Sequence, residues 1–348
     1  MKILKIIDTL DLGGTEKVFV DLANILSENE VEVEIYCLLK PSVLDKELNS
    51  NIKINYLNRK NKANLFFLFK LYKKIKDFTI LHIHSRQVMR YVGLLYLIPF
   101  IKLPKIVFQD HYGLIENDKS IDFILSKVLN KIDGYIAVSS QLLEWFNNLY
   151  PEKKSFLLPN IIRVKTSNKV YANKKQNSIL MIGNFREQKN YSFAISIIKE
   201  LPTEFTLTIL GQKTDNQYYK KIKKEIFDKK ISDRVNIITN VKEVFPIIPN
   251  FDIAMHTANT ETGPLVAIEY LANKIPFLMY KTGYVSSILN EKLPEYLMQD
   301  FNVFNWVNKI KYLLNNRNNF IPQNEIIFKE YFSEQNYLNG CLKIYKNI

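Results

Sequence analysis

Short apolar runs of strand length alternate with helix-length segments along almost the whole chain, and that alternation restricts what the chain can fold into. Ile3–Thr9 is an apolar run that ends near Gly13-Gly14, and Glu16–Leu26 follows with Val18, Leu22, Ile25 and Leu26 at helical spacing. Thr15 is positioned to cap that helix. Val31–Leu39 alternates as a strand, and buried strands are predicted at Ile80–Ile83, Lys105–Gln109 and Gly134–Val138, each separated from the next by a helix-length segment. Such a rhythm builds parallel sheets covered on both faces, because a parallel connection must cross over through a helix. It pauses at Leu157-Leu158-Pro159-Asn160 and gives way to a polar stretch, Lys165–Ser178, that reads as a linker. It then restarts at Ile179–Gly183, with further strands predicted at Phe205–Leu210, Val235–Ile238, Ile253–His256 and Pro276–Tyr280. At 348 residues, two α/β domains are expected rather than one core. The final segment, Glu334–Ile348, is predicted to be a helix with Tyr337, Leu338, Cys341, Leu342 and Tyr345 on one side.

Composition narrows the function classes. With 47% hydrophobic and 24% charged residues, the chain has the profile of a folded soluble protein. The N-terminal apolar run meets Asp8 and Asp11 too early for a signal peptide and reads as a first strand. The longest apolar run, Tyr91 to Ile101, is too short to span a bilayer, which needs about 20 residues. Cys37 and Cys341 lie far apart without metal or redox spacing and are expected as buried thiols of a cytoplasmic protein. The formal charge of +13, shared about evenly between the halves, suggests an anionic partner. No nucleic-acid-binding motif accompanies it, so the expectation is a membrane surface and no nucleic acid.

Three elements carry candidate chemistry. Gly13-Gly14 sits between a strand and a helix, where paired glycines allow a sharp turn and a helix N-terminus favours an anion; it is not the G-x-G-x-x-G dinucleotide fingerprint. Gly183-Asn184-Phe185-Arg186-Glu187-Gln188-Lys189 follows the first strand of the second domain. Arg186 and Lys189 at that strand's carboxyl end are suited to neutralise a departing diphosphate. Glu261-Thr262-Gly263-Pro264-Leu265-Val266-Ala267-Ile268-Glu269 places one glutamate in a loop and another inside a helix, with Pro264 in the first turn. The amides of Leu265 and Val266 can bind phosphate, and the two acids can hold hydroxyls. Taken singly, each also reads as ordinary structure: a strand–helix turn, two solvated cations, an amphipathic helix with exposed acids. Their order along the chain is what points to function.

In that order, the chain resembles the retaining glycosyltransferases of family 4, which have the GT-B architecture. The resemblance runs from Lys2 to about Leu289. Gly13-Gly14-Thr15-Glu16 is like the family's Gly-Gly-x-Glu loop; Asp133-Gly134-Tyr135-Ile136-Ala137-Val138-Ser139 and Pro159-Asn160 look like its segments before the second domain. Gly183 and Lys189 match its basic loop, Gly211 the glycine of its Gly-Asp-Gly turn, and Glu261 and Glu269 its paired glutamates. Lys274-Ile275-Pro276 and Gly283 match the family's segment C-terminal to those glutamates. Asn184 stands where the family carries arginine, with Arg186 as candidate replacement; Gln212 replaces an aspartate, and Thr262-Gly263 replaces Gly-Phe.

The resemblance implies two facing Rossmann-like domains, residues 1–163 completed by 330–348 and residues 164–329, with the last helix crossing back onto the first. It implies a nucleotide-diphosphate sugar as donor, no cofactor, no metal, and a glycan or lipid-linked acceptor of surface polysaccharide or glycolipid biosynthesis. Donor contacts fall to Gly13, Gly14, Gly183, Gly211, Gly263, Leu265, Val266 and Glu269, and the catalytic group comprises His111, Glu261, Arg186 and Lys189. His82 and His84 are expected to be structural, and His256 to support Glu261 or pack in the core. The competing readings are a non-catalytic subunit of the same architecture and a nucleotide-sugar epimerase or phosphorylase. Seven Lys/Arg without an acid between Arg59 and Lys76 predict attachment to an anionic membrane surface through residues 59–76. In that helix Leu65, Leu68, Phe69, Tyr72 and Ile75 are expected to face the core.

Overall fold

The computed structural model describes residues 1–59, 65–164, 176–241 and 243–348, with backbone alone at residues 65–67. The chain divides into two units, one formed by Met1–Arg163 with Ser333–Ile348 and the other by Val164–Phe332.

The first unit is built on β1 (Lys2–Ile7), β2 (Glu32–Cys37), β3 (Lys53–Tyr56), β4 (Ile80–Ile83), β5 (Lys105–Asp110), β6 (Gly134–Ala137) and β7 (Ser155–Leu157). They form a seven-stranded sheet in the order β3-β2-β1-β4-β5-β6-β7, parallel at each pairing. One face packs under helices Leu65–Ile75, Arg86–Val92, Phe123–Leu129 and Ser140–Leu149. The other packs under helix Gly14–Glu28 and the C-terminal helix Glu334–Asn347, whose Tyr337, Leu338, Cys341, Ile344 and Tyr345 are buried. Ile344 takes the core place expected of Leu342, which is half-buried. Polar groups fix this helix too. Tyr345 Oη lies 2.7 Å from His82 Nδ1, Gln109 Nε2 donates to Tyr337 Oη at 3.0 Å, and Arg163 pairs with both Glu28 and Glu334. Cys37 and Cys341 are buried free thiols.

The second unit has β8 (Ser178–Ile182), β9 (Thr206–Leu210), β10 (Val235–Ile238), β11 (Ile253–His256), β12 (Phe277–Tyr280) and β13 (Leu297–Met298), in the order β10-β9-β8-β11-β12-β13. These pairings are parallel as well. Fully buried aromatics, among them Tyr191, Tyr270, Phe277, Tyr296 and Trp306, fill its core.

Three sequence expectations are corrected. Helix Gly14–Glu28 begins one residue before Thr15, with Gly13 at the N-cap and no side-chain cap, so Thr15 lies in the first turn. Pro264 likewise occupies the N-cap of helix Leu265–Ala272, just outside its first turn. In helix Leu65–Ile75 the buried residues are Leu68, Leu71 and Ile75, while Tyr72 is half-buried and Phe69 is 67% exposed. Spacing explains this: 68, 71 and 75 form one stripe at i, i+3 and i+7, and Phe69 is rotated about 130° from its centre. Residues 60–64 and the side chains of Leu65, Phe66 and Phe67 lie outside the described residues, as does most of the expected linker.

Gly211 shows how tightly the strand ends of the second unit approach. A Cβ there would lie 1.8 Å from the carbonyl oxygen of Gly183, so the loop leaving β9 touches the loop leaving β8 backbone to backbone. At Gly113 an added Cβ meets nothing within 4 Å. Gly211→Ala is therefore expected to cost about 1–3 kcal/mol of stability, and Gly113→Ala less than about 0.5 kcal/mol, measured as urea midpoints. Equal midpoints for the two variants would refute this packing.

Candidate active site

In the first unit, strand order reverses between β1 and β4, and the loops leaving these strands and β5 line a cavity of about 740 Å³. His111 lies on its wall, next to His84, with the rings stacked at 5.4 Å and 15°. Thr15 and Glu16 line it from the start of helix Gly14–Glu28. Glu16 folds back over Gly13, where a Cβ would sit 2.1 Å from its carboxylate.

Most of the other charges of this cavity are matched, and Asp118 accepts instead from Tyr112 Oη at 2.6 Å and Ser120 N at 2.9 Å. Arg86 makes a forked contact with Asp110, Nε and Nη2 donating to Oδ2 at 2.9 and 2.7 Å, and its guanidinium stacks on Tyr112 at 4.0 Å and Trp145 at 4.6 Å. Tyr135 Oη also donates to Asp110 at 3.0 Å. Arg90 pairs with Asp122 at 2.6 Å and Arg59 with Asp8 at 3.3 Å. Sequence reasoning missed these pairs. The one available signal was position, since Asp8, Arg86 and Asp110 each lie at or just beyond a strand's carboxyl end. His84, expected to be structural only, is buried yet also lines the cavity.

In the second unit the strand order reverses between β8 and β11, and Gly183, Lys189, Glu261, Gly263, Leu265, Val266 and Glu269 follow these two strands, whereas Gly211 follows β9 and Gly13 and Gly14 lie in the first unit. Lys189 ends a short 3₁₀ turn, Glu187–Lys189, after β8, and forms an ion pair with Glu261 from the loop after β11. The turn is tied to β11 by buried Thr257, which donates to the carbonyls of Lys189 at 2.9 Å and Asn190 at 3.1 Å. Asn190 adopts left-handed backbone at φ 52°. The Glu261 backbone is held by Thr282, whose Oγ1 accepts from Glu261 N at 2.9 Å. Gly283, at φ +72°, leaves room for the carbonyls of Glu261 and Thr262. Asn184 does not take an arginine's part: its Oδ1 accepts from Gln212 N at 3.2 Å and braces the loop of Gly211. Arg186 is exposed, and its charge is among those that act on Glu261.

Helix Leu265–Ala272 starts without a side-chain cap, so the amides of Leu265 and Val266 are not taken by its N-cap residue, and Gly263 immediately precedes that cap. Glu269 is half-buried in its second turn. Two features set the protonation states. Lys189 is the foremost charge holding the Glu261 carboxyl below its usual range against the opposing effect of burial. Burial first, then the Lys189 charge, push His256 down to about 3, so it is neutral near neutral pH. Its Nε2 is 4.0 Å from Glu261.

Two α/β units, each with polar side chains at the carboxyl ends of parallel strands where strand order reverses, define a doubly wound, Rossmann-like architecture, in which ligands bind at such reversals. Comparison with known proteins supplies the family. Residues 12–165 match the family model described as Glycosyltransferase Family 4, and residues 163–330 match that described as Glycosyl transferases group 1. An uncharacterized glycosyltransferase of Haemophilus influenzae is 22% identical over 324 residues, 87% of each chain. The capsular polysaccharide biosynthesis glycosyltransferase CapH of Staphylococcus aureus is 25% identical over 286 residues, 77% of this chain and 78% of that one. The crystal structure of Anabaena Alr3699/HepE in complex with UDP-glucose superposes with a TM-score of 0.84 at 14% identity, covering both chains fully. The chain belongs to these family 4, group 1 glycosyltransferases and has their GT-B fold.

The histidines give a pH prediction. Burial holds His111 and His256 down at about 3 and depresses His82 and His84 as well. A histidine that is neutral when folded and ordinary when unfolded favours the unfolded chain as pH falls through about 6.5. The stability that His111 and His256 contribute is complete above about pH 6.5 and is lost progressively towards about 3, and His82 and His84 act in the same direction. Between about pH 6.5 and 5 His111 and His256 should each cost about 2 kcal/mol. A urea midpoint unchanged between pH 7 and 5 would contradict this.

Proposed function

We propose that the protein transfers a sugar, with retention of anomeric configuration and without a metal ion, from a nucleotide-diphosphate sugar to a hydroxyl of a glycan or lipid-linked acceptor in surface polysaccharide or glycolipid biosynthesis. The observation that carries this reading is the grouping of Lys189, Glu261, Glu269 and the amides of Leu265 and Val266 around one strand reversal of the second unit. It supplies cation, acid and amide donors at the place where such sheets take ligands. HepE was crystallised with UDP-glucose and CapH is named for capsular polysaccharide biosynthesis, which favours a uridine donor and a polysaccharide-type acceptor.

On this reading Lys189, with Arg186, stabilises the charge that grows on the diphosphate as the C1–oxygen bond to it breaks. Gly13, Gly14, Gly183, Gly211 and Gly263 let the backbone approach the donor. The amides of Leu265 and Val266 hold phosphate oxygens, Glu269 the ribose, and Glu261 the sugar hydroxyls. The acceptor oxygen attacks C1 on the face that the diphosphate leaves, and its proton passes to the leaving phosphate oxygen. No protein base is required. His111, neutral at working pH, lines the sugar rather than accepting the proton. The cavity of the first unit takes the acceptor.

Glu261→Ala, Glu269→Ala and Lys189→Ala should each lower transfer about a hundredfold, on the order of 3 kcal/mol of lost transition-state stabilisation, with the fold retained: Glu269→Ala should melt close to the parent, and Lys189→Ala and Glu261→Ala lower, because each leaves its ion-pair partner uncompensated. The assay follows nucleotide release from a panel of nucleotide sugars with and without glycan acceptors. Parent-level transfer by all three variants would refute the site.

The same reading places the protein in the cytoplasm, peripheral at the inner face of the cell membrane. No helix among the described residues is long and apolar enough to cross a membrane. Lys70, Lys73, Lys74 and Lys76 are exposed on or just beyond helix Leu65–Ile75, and exposed Phe69 stands among them. Basic residues near an anionic lipid surface contribute about 1 kcal/mol each, and an exposed aromatic adds insertion into the interface. Binding to anionic vesicles should weaken with salt and drop when the four lysines become glutamine. Equal sedimentation with neutral vesicles would rule this attachment out.

A further inference from the structure

Lys5 lies in the middle of β1 and is fully buried. It is the foremost polar anomaly of the first unit, because an ammonium in the interior ordinarily demands a carboxylate. No ion pair of Lys5 occurs among the described residues. It faces Phe19 of helix Gly14–Glu28, with Nζ 4.6 Å from the ring centroid, and Cys341 of the C-terminal helix, whose thiol burial pushes up to about 11 and so keeps neutral. From β4 and its end it faces His82 and His84, and beyond β5 His111, all neutral because of burial. Burial lowers Lys5 itself to about 7.

Its partner is a histidine. Lys5 Nζ lies 2.8 Å from His84 Nε2, and His84 Nδ1 lies 3.3 Å from His111 Nε2. The Asn160 side chain interacts with His111 in turn. Strand parity and register create this line. Lys5 stands directly beside His82; His84, two residues on, falls on the same face, and His111 extends beyond the end of β5, two residues after Gln109.

A lysine ammonium has three donors and no acceptor, whereas a neutral imidazole has one of each. The ammonium therefore sets the direction of every bond after it. His84 Nε2 must accept, so its proton sits on Nδ1; His111 Nε2 must then accept, so its proton also sits on Nδ1, on the side of the ring away from His84. An uncharged amine can accept as well as donate, and the whole line can then reverse. We propose that Lys5 is a positioning residue which, through His84, fixes the proton of His111 on Nδ1 and holds its ring against the cavity wall. The consequence for transfer rests on the function proposed above, in which His111 lines the transferred sugar; the tautomer does not depend on it.

The test separates the two. Four histidines make ¹⁵N-histidine NMR tractable. Below about pH 7, where Lys5 is charged, His84 and His111 of the parent should both carry their proton on Nδ1. In Lys5→Met, which replaces the ammonium by an apolar chain of similar length, His111 should become a mixture of tautomers, and kcat should fall about ten- to a hundredfold, as when a supporting hydrogen-bond partner is removed, with little change in KM for the donor. Lys5→Arg, whose guanidinium donates and cannot accept, should restore the Nδ1 tautomer of His111 and part of kcat. A proton on His111 Nε2 in the parent, or a His111 tautomer unchanged in Lys5→Met, would overturn the proposal. A tautomer that changes while kcat stays at the parent value would overturn its role in transfer. A parent that transfers no sugar while the tautomers behave as stated would count against the proposed function alone.

Discussion

Parallel strands whose order reverses once in each sheet are the constraint on which the remaining structure depends. Two neighbouring strands at such a reversal send their connections to opposite sides, so their loops part and leave a crevice. In the first sheet the reversal separates β1 from β4, in the second β8 from β11. Asp8 and His84 flank one crevice, Lys189 and Glu261 the other. The residues come from distant parts of the chain because topology, and not sequence proximity, gathers them: Lys189 and Glu261 are 72 residues apart, Lys5 and His84 79.

Within both crevices most charged side chains rest against an opposite charge. The Arg86–Asp110 fork is nearly buried, as is the Lys189–Glu261 pair. Such pairs return little net stability, because desolvating both ions offsets most of their attraction, but each holds its partner in a defined place and ionisation state. For Lys189 this means a cation kept in position, ready for an anion of greater charge. Lys5, which has no ion pair among the described residues, rests against the His84 imidazole instead, and burial lowers it to about 7.

Much of the fold was legible because buried parallel strands are short, apolar and regularly spaced. Ile80–Ile83, Val235–Ile238 and Ile253–His256 coincide with their predicted bounds, and the others differ by one or two residues at an end. The strands that escaped, Lys53–Tyr56, Ser155–Leu157 and Leu297–Met298, are the edge strand β3, the edge strand β7 and the two-residue edge strand β13. An edge strand has a neighbour on one side only and needs less apolar sequence, so its pattern is weak. Phe69 was misplaced because periodicity fixes a stripe's spacing but not which of two adjacent residues lies on its centre. In the site, Lys189, Glu261 and Glu269 stood out through their order along the chain, whereas Arg86–Asp110 and Lys5–His84 did not. Those pairings depend on strand register, and an isolated lysine in an apolar run reads in the sequence as an irregularity without a partner.

The first unit closes with residues made after the whole second unit. Its sheet has one face covered in part by Tyr337, Leu338, Cys341, Ile344 and Tyr345, and these follow the whole second unit in the chain. On a ribosome, the second unit has all its strands and helices before the first can bury that face. Until then β1, β4 and β5 present apolar surface, with the hydroxyl partners of His82 and Gln109 still missing. Order of completion thus runs against order of synthesis. The first-made unit must wait exposed for its final helix, and contacts spanning 263 residues set its pace.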